Sequence, residues 1–301
     1  MSDHNSVPQH TPSDFHPEVM KLFDKYVHGI IDRRSFLADA GKYAAAGVSA
    51  TALLEMLNPK FAEAQVIKAD DPRVKTKFVE FDSPNGHGKA RGYLVMPANM
   101  KGKLPAVMVI HENRGLNPHI EDVTRRVALE NFIAFAPDML FSQGGYPGDE
   151  DKARELFSKL DQTKCRADFV AAAGFMKALP ECTGKYGVVG FCYGGSMSNY
   201  LATQLPDLGA AVPFYGSAAR TEDVPKIKCP LQIHLAEKDE RINAGYPAYE
   251  AALKAAGVKY ELHMYPGTQH GFNNNTTPRF DEAAAKLATS RMINFMTERI
   301  R

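Results

Sequence analysis

One cysteine lies in a setting typical of an enzymatic nucleophile. Residues 190–195 read G-F-C-Y-G-G, after the apolar run K-Y-G-V-V and before S-M-S-N-Y-L-A-T. The pattern predicts a strand, a sharp turn and a helix, with Cys192 at the turn. Gly190 and Gly194 leave room for a strained turn, and the amino end of the helix would favour a thiolate over a thiol. The pattern favours a reactive cysteine over a small buried residue in a tight corner.

A thiol nucleophile needs a base, and His270 is the best candidate. It lies in the loop P-G-T-Q-H-G-F, which follows a predicted strand. Packing alone rarely explains a histidine in such a glycine-bounded loop. His234 and His263 lie within predicted strands and are expected in the core or on the sheet. His111, at the end of another strand, is the one competitor.

The base in turn needs an acid that orients it. Asp239 lies just beyond a predicted strand and is preferred over Glu237 and Glu240, because a short carboxylate is suited to holding a histidine in one tautomer. The chain order of Cys192, Asp239 and His270 is the order of nucleophile, acid and histidine in the α/β-hydrolase fold. The three residues together form a more specific signal than any one of them.

A fourth loop supplies the remaining candidate groups. Residues E-N-R-G follow the predicted strand 104–111. The expected oxyanion-hole donors are the backbone N–H groups of Tyr193, directly after the nucleophile, and Asn113. Glu112 would then lie near the sulfur, where it could accept the thiol proton or hold the thiol inactive. The alternative is a surface carboxylate paired with Arg114.

Strands and helices alternate through the part of the chain that contains these residues. The predicted strands are 75–81, 90–96, 104–111, 132–138, 185–191, 210–216, 230–236 and 260–265, and the predicted helices are 120–129, 149–179, a helix from 194, 244–256 and 280–299. The first two strands read as an antiparallel hairpin. The repeated βα units predict a mostly parallel sheet with helices on both faces and a site beyond the carboxyl ends of its strands.

The amino-terminal part of the chain has a different composition. We predict a helical extension or leader over 1–67 and a catalytic α/β-hydrolase domain over 68–301. Apolar residues at helical spacing predict an amphipathic helix over 19–31.

The same segment contains features of an export signal. Arg33 and Arg34 precede a mildly apolar, alanine-rich stretch from Gly41 to Leu57 and A-E-A-Q at 62–65. These features resemble a twin-arginine signal and favour a periplasmic location. The alternative is a cytoplasmic protein that keeps the segment as a helical arm, because an amphipathic helix would be of no use in a leader that is removed.

Composition excludes several other classes of protein. The 301 residues are 44% hydrophobic, and 36 Lys+Arg against 35 Asp+Glu give a net charge of +1. No basic run interleaved with aromatics indicates nucleic-acid binding, and no apolar stretch is long enough for stable membrane insertion. The four cysteines form no C-x-x-C pair and no zinc spacing. We therefore predict no metal, no cofactor and a small-molecule substrate, and leave the oligomeric state open.

Four motifs together resemble the dienelactone hydrolase (carboxymethylenebutenolidase) family. They are H-E-N-R-G-L-N at 111–117, G-F-C-Y-G-G at 190–195, Asp239 in A-E-K-D, and H-G-F at 270–272. The resemblance covers about residues 75–300 and implies an α/β-hydrolase fold with a Cys-Asp-His triad. It also implies that Glu112 interacts with the resting thiol until substrate enters, and that attack on a lactone carbonyl gives an acyl-enzyme.

The sequence departs from the family pattern at one binding position. In the family, an arginine four residues after the catalytic histidine helps to bind the substrate carboxylate. In this chain the corresponding position, four residues after His270, is Asn274. Arg114 and Arg279 are the candidates to replace it.

Other functions stay open on the same scaffold. A general carboxylesterase, thioesterase or small-peptide hydrolase would use the same triad. A non-catalytic binding protein would not need it. A redox role for Cys192 is weaker, because no second cysteine lies close in sequence.

Overall fold

Eight strands form one mixed sheet. The computed structural model describes residues 10–44 and 48–301. The strands are Val74–Ser83 (β1), Gly88–Pro97 (β2), Leu104–Ile110 (β3), Ile133–Pro137 (β4), Cys182–Phe191 (β5), Ala210–Phe214 (β6), Leu231–Ala236 (β7) and Tyr260–Tyr265 (β8). Their order across the sheet is β1-β2-β4-β3-β5-β6-β7-β8. Strand β2 pairs antiparallel with β1 and β4, and the other neighbours pair in parallel.

Helices cover both faces of this sheet. The helices of the described chain are Pro17–Val27 (α1), Arg33–Ala40 (α2), Ala50–Leu57 (α3), Phe61–Ala64 (α4), Pro118–Leu129 (α5), Glu150–Ser158 (α6), Gln162–Lys177 (α7), Tyr193–Gln204 (α8), Glu240–Asn243 (α9), Tyr246–Ala255 (α10) and Glu282–Ile300 (α11). Two large apolar clusters lie in the core. Strands β4, β6 and β7 are buried along their whole length, as expected for parallel strands covered on both faces. The predicted α/β fold class is confirmed.

One predicted helix is divided in two, and another begins later than predicted. The predicted helix 149–179 breaks before α7, because the Asp161 side chain accepts hydrogen bonds from the N–H groups of Thr163 and Lys164 and caps a new helix. The predicted helix 244–256 starts at Tyr246, after the separate short helix α9 and the intervening Gly245.

The prediction for the first helix is wrong at its carboxyl end. Helix α1 ends at Val27 rather than at 31, because Gly29 takes a left-handed conformation with φ of 73°. A new helix then begins behind Asp32, whose side chain accepts from the Ser35 N–H. Ile30, assigned to the apolar face by its spacing, is 60% exposed. His28 becomes the C-cap residue that directly follows α1.

Helices α1 to α4 and their connections form a segment that we call the N-terminal arm (residues 10–44 and 48–67). It has an apolar cluster of its own, made of Phe15, Val19, Met20, Phe23, Tyr26, Phe36, Ala40, Leu53, Leu54 and Leu57. Residues 1–9 and 45–47, the latter within the predicted apolar segment, lie outside the described residues.

Polar contacts fasten the arm to the rest of the protein at several points. Arg33, one of the twin arginines, lies 3.1 Å from the Asp151 carboxylate. The Ile67 N–H donates to Asp122 at 2.7 Å, and Asn275 donates to the Ala64 carbonyl at 2.7 Å. The described helices include none with both the length and the apolar character needed to cross a membrane.

Candidate active site

Cys192 lies in a strained turn between β5 and α8. Its backbone has φ of 54° and ψ of −110°, and α8 begins at the next residue. A Cβ on Gly190 would lie 2.0 Å from the Gly194 carbonyl oxygen, and one on Gly194 would lie 2.2 Å from that of Ile110. The glycines are therefore required by close backbone approach, and the turn places the sulfur at the amino end of α8, where the helix dipole favours a thiolate.

Asp239 and His270 meet at the carboxyl ends of β7 and β8. The carboxylate Oδ2 of Asp239 lies 2.5 Å from Nδ1 of His270, and both side chains are buried. Asp239 Oδ1 also accepts from the Ile242 N–H at 3.4 Å, which fixes the carboxylate at the start of α9. A ring nitrogen of His270 lies within 4.8 Å of the Cys192 sulfur. The structure thus brings the three predicted triad residues together.

The charges of this group favour a thiolate paired with an imidazolium. Burial opposes ionisation of Cys192, but the charge of and hydrogen bonding to His270 and His28 bring its pKa well below the ordinary value. Burial also opposes protonation of His270, yet the Cys192 thiolate and Asp239 raise its pKa to about 10. By contrast, burial raises the pKa of Cys165 and of Cys229 to about 12. All four cysteines are free thiols.

A second histidine, His28 of the arm, lies at the same point. Its Nε2 is 3.2 Å from Nε2 of His270 and 3.7 Å from the Cys192 sulfur. Its Nδ1 lies 2.8 Å from the Asp24 carbonyl oxygen and 3.3 Å from the Asp24 carboxylate. Burial opposes its protonation, but Asp24 and Cys192 raise the pKa of His28. Sequence reasoning missed this residue.

Glu112 is close enough to Cys192 for the two charges to interact, but its hydrogen bond goes elsewhere. Its Oε2 accepts from Asn274 Nδ2 at 2.9 Å. Removal from bulk water, together with the nearby Cys192 charge, raises the pKa of Glu112. Asn274, at the position where the family arginine is replaced, therefore binds a protein carboxylate here.

The two candidate arginines both line the cavity at Cys192. Arg279 is 5% exposed, its Nη1 lies 3.5 Å from Asp24, and its guanidinium lies 5.3 Å from the centre of the Phe23 ring. Arg114 is also 5% exposed and donates to the Val27 carbonyl at 3.0 Å. Within the described chain, Nε of each arginine has no hydrogen-bond acceptor.

Of the two predicted oxyanion donors, one lines the cavity and the other directly follows Cys192. Tyr193 is the first residue of α8, where backbone N–H groups have no acceptor within the helix. Asn113 lines the cavity, and its side chain donates to the Val27 carbonyl at 3.0 Å.

His111, the competing base, points away from the nucleophile. Its Nδ1 lies 2.6 Å from the Glu112 carbonyl oxygen, and its Nε2 faces the Met139 N–H at 3.4 Å. Full burial lowers its pKa to about 4. His234 is buried against Tyr265, in keeping with the core role expected from its strand.

The arm closes the cavity over the triad. Phe23, Tyr26 and Val27 of the arm line this cavity together with Glu112 and Arg114 of the loop after β3. The enclosed volume is about 40 Å³, enough for one or a few water molecules and far below the several hundred Å³ of a typical ligand pocket. The substrate pocket is therefore shut in this conformation.

Comparison with known proteins places this architecture in a family. The model of the dienelactone hydrolase family matches residues 90–300. The chain belongs to this family. It is a hydrolase of the kind that acts on ester or lactone bonds, with a small-molecule substrate. A second family model, described as YqhI-like, matches residues 7–45, which include His28 and the twin arginines.

Relatives of this dienelactone hydrolase family member cover most of its chain. Protein usf of Aquifex pyrophilus is 38% identical over 237 residues, 74% of this chain and 98% of that protein. An Aquifex aeolicus protein, named provisionally as a carboxymethylenebutenolidase, is 34% identical over 73% of this chain and 96% of its own. A crystal structure titled provisionally as a dienelactone hydrolase of Klebsiella pneumoniae has a TM-score of 0.66 at 28% identity, covering 74% of this chain and 99% of that one.

Proposed function

We propose that the protein hydrolyses carboxylic esters or lactones through a covalent acyl-enzyme on Cys192. The observation that carries the proposal is the buried Asp239–His270 pair, 2.5 Å apart, beside a cysteine at the amino end of a helix. His270 is the general acid and base, and Asp239 fixes its tautomer.

The first half-reaction forms the acyl-enzyme. The Cys192 thiolate attacks the carbonyl carbon, a C–S bond forms and the carbonyl oxygen takes the negative charge. When the C–O bond to the leaving group breaks, the alkoxide takes the proton from His270 Nε2. In a lactone the leaving oxygen stays attached to the acyl group.

The second half-reaction returns the free enzyme. Water gives a proton to His270 and attacks the thioester carbon, and collapse of the tetrahedral intermediate breaks the C–S bond. The N–H groups of Tyr193 and Asn113 are the proposed donors to the oxyanion in both steps. We propose that Glu112 acts on the resting thiol through its charge, since its hydrogen bond goes to Asn274.

Two buried arginines support the proposal that the substrate carries a negative charge. Arg279 and Arg114 line the cavity, and Nε of each has no hydrogen-bond acceptor among the described residues, although Arg114 Nε lies 3.6 Å from the Glu150 carboxylate. A guanidinium can bind a carboxylate through two parallel hydrogen bonds. We propose that these arginines replace the family arginine whose position Asn274 occupies. A general carboxylesterase, thioesterase or small-peptide hydrolase would need no such charge.

We further propose that residues 1–67 form an extension retained in the active enzyme, next to a catalytic domain at 68–301. The ion pair of Arg33 with Asp151 and the contacts of His28 with the triad support retention. Export to the periplasm through the twin arginines stays a prediction.

The test is hydrolysis of p-nitrophenyl acetate, a small lactone and a thioester by the wild type, Cys192→Ala and the matched control Cys229→Ala. The wild type and the control should turn over, and Cys192→Ala should lose at least ~10³-fold in kcat. Rapid quenching should leave an acyl mass on the peptide that contains Cys192. Turnover by Cys192→Ala would disprove the mechanism, and absence of turnover in the wild type would favour a binding protein.

A further inference from the structure

Three side chains at the active site present metal-binding atoms to one another. They are Cys192 of the β5–α8 turn, His270 of the loop after β8 and His28 of the arm, and their donor atoms all lie within 4.8 Å of one another. The cysteine spacing gave no sign of a metal site, because the three ligands come from distant segments.

Both histidines are oriented as metal-binding histidines are. The Nδ1 of His270 faces the Asp239 carboxylate at 2.5 Å, and the Nδ1 of His28 lies 2.8 Å from the Asp24 carbonyl oxygen and 3.3 Å from the Asp24 carboxylate. Each ring therefore directs Nε2 toward the other ring and the sulfur. A carboxylate behind each imidazole is the usual outer partner of a zinc-bound histidine, where it fixes the ring and raises its basicity.

Two of the three ligand separations match those of a tetrahedral site for a thiophilic ion, and the third, between a His270 ring nitrogen and the Cys192 sulfur, is within 4.8 Å. Zinc bonds of about 2.0–2.1 Å to nitrogen and 2.3 Å to sulfur place two nitrogens roughly 3.3 Å apart and a nitrogen and a sulfur roughly 3.6 Å apart. His28 Nε2 lies 3.2 Å from His270 Nε2 and 3.7 Å from the Cys192 sulfur. A thiolate with two imidazoles favours Zn²⁺ over Mg²⁺ or Ca²⁺, which take oxygen ligands.

We propose that Cys192, His28 and His270 bind a zinc-type divalent cation when the arm is closed, and that this cation inhibits the enzyme reversibly. The inference rests on the proposed function, since it assigns a regulation to the same nucleophile and base. The metal takes the sulfur lone pair needed for attack and the His270 Nε2 needed for proton transfer. It also links the arm to the catalytic residues, so the substrate cavity stays shut.

The surroundings can complete such a site. The cavity of about 40 Å³ beside Cys192 has room for a water as fourth ligand. The guanidinium of Arg241 lies 3.0 Å from His28 Nε2, and this exposed side chain has to swing into solvent when the ion binds. Protons on His28 and His270 leave to solvent, so binding weakens as the pH falls.

Cobalt(II) titration of the full chain tests the site without relying on turnover. The wild type should bind one Co²⁺ and show a thiolate-to-metal charge-transfer band with intense visible bands of a tetrahedral ion. Zn²⁺ should displace the cobalt and raise the melting temperature. His28→Gln, which keeps a polar side chain but lacks the imidazole, should weaken zinc affinity at least ~100-fold. The matched control His263→Ala, on β8 away from the site, should bind like the wild type.

Activity gives an independent comparison. In the presence of a chelator, ester hydrolysis by the wild type tests the proposed function alone. Stoichiometric zinc should then abolish this hydrolysis, and the chelator should restore it. The metal site is wrong if the cobalt spectrum lacks the thiolate band, or if zinc affinity in His28→Gln stays within threefold of the wild type.

Discussion

His28 Nε2 lies 3.2 Å from His270 Nε2, at the position from which a leaving group would take a proton or a water would give one. The arm residue therefore occupies the face of His270 that would react in the proposed mechanism. The same nitrogen is 3.7 Å from the Cys192 sulfur, the proposed nucleophile, so one side chain covers both His270 and Cys192. Hydrolysis requires His28 to withdraw, by a rotamer change or by movement of the arm.

The first prediction concerns this blocking contact. His28→Ala, assayed with a chelator present, should raise kcat/KM for p-nitrophenyl acetate by roughly tenfold, equivalent to about 1.4 kcal/mol, because the base becomes free for substrate. Steady-state kinetics of the wild type, His28→Ala and His263→Ala measure the effect. A tenfold loss in His28→Ala would instead make His28 part of the catalytic machinery.

The second prediction is selective alkylation of Cys192. Because its pKa is lowered, the thiolate persists below the ordinary thiol pKa of about 8.5 and is lost only as the pH falls through the lowered value. Iodoacetamide should modify Cys192 before Cys165, Cys182 and Cys229, with a rate that changes little from pH 9 to pH 7 (roughly the interval over which a free thiol would protonate). Peptide mass spectrometry resolves the sites. A rate for Cys192 that drops tenfold per pH unit in this interval contradicts the thiolate–imidazolium pair.

The third prediction concerns Glu112. A carboxylate near a thiolate disfavours it, so Glu112→Gln should lower the apparent pKa of the Cys192 thiol, while the Gln oxygen still accepts from Asn274. The pH profile of alkylation without substrate measures the shift. An unchanged profile would remove Glu112 from the resting state of the thiol.

The fourth prediction tests the charge of the substrate. Arg279→Gln should raise KM for an ester that carries a free carboxylate about 10- to 100-fold, the usual range for one charged hydrogen bond. The KM for neutral p-nitrophenyl acetate should change less than threefold. The exposed Arg220, which pairs with Asp223, provides the matched control Arg220→Gln. Equal effects on both esters would assign Arg279 to the arm contact with Asp24 alone.

The sequence predicts most of the sheet and the turn that holds Cys192, because these follow from local patterns. Short-range physical causes explain three of these patterns: the alternation of apolar and polar residues in β1 and β2, the apolar runs of the buried strands, and the glycines around Cys192. Asp239 and His270 could be named because parallel strands bring their carboxyl ends to one edge.

The place of His28 could not be predicted, because it depends on two events distant from each other in sequence. Helix α1 has to end before Gly29, against an apolar spacing that continues to Ile31, and the arm has to pack on Cys192 and His270. Long-range contacts such as those of Val27 with Asn113 and Arg114 decide that packing. Gly29, directly after His28, was the one local signal in the sequence that α1 ends there.

The last prediction compares a glycine that close backbone approach requires, Gly194, with a glycine that has open space around it, Gly174. A methyl group on Gly194 would meet the Ile110 carbonyl oxygen at 2.2 Å, and backbone of β3 cannot move without disturbing the sheet. Gly194→Ala should therefore lower the free energy of unfolding by about 1–3 kcal/mol and reduce hydrolysis, because the turn that holds Cys192 has to shift.

Gly174 is the matched control: it lies in α7 with no atom within 4 Å of the added methyl. Gly174→Ala should raise stability by about 0.5–1 kcal/mol, as expected for a helix interior. Urea denaturation measures both changes, and equal effects of the two substitutions would show that the turn at Cys192 does not need its glycine.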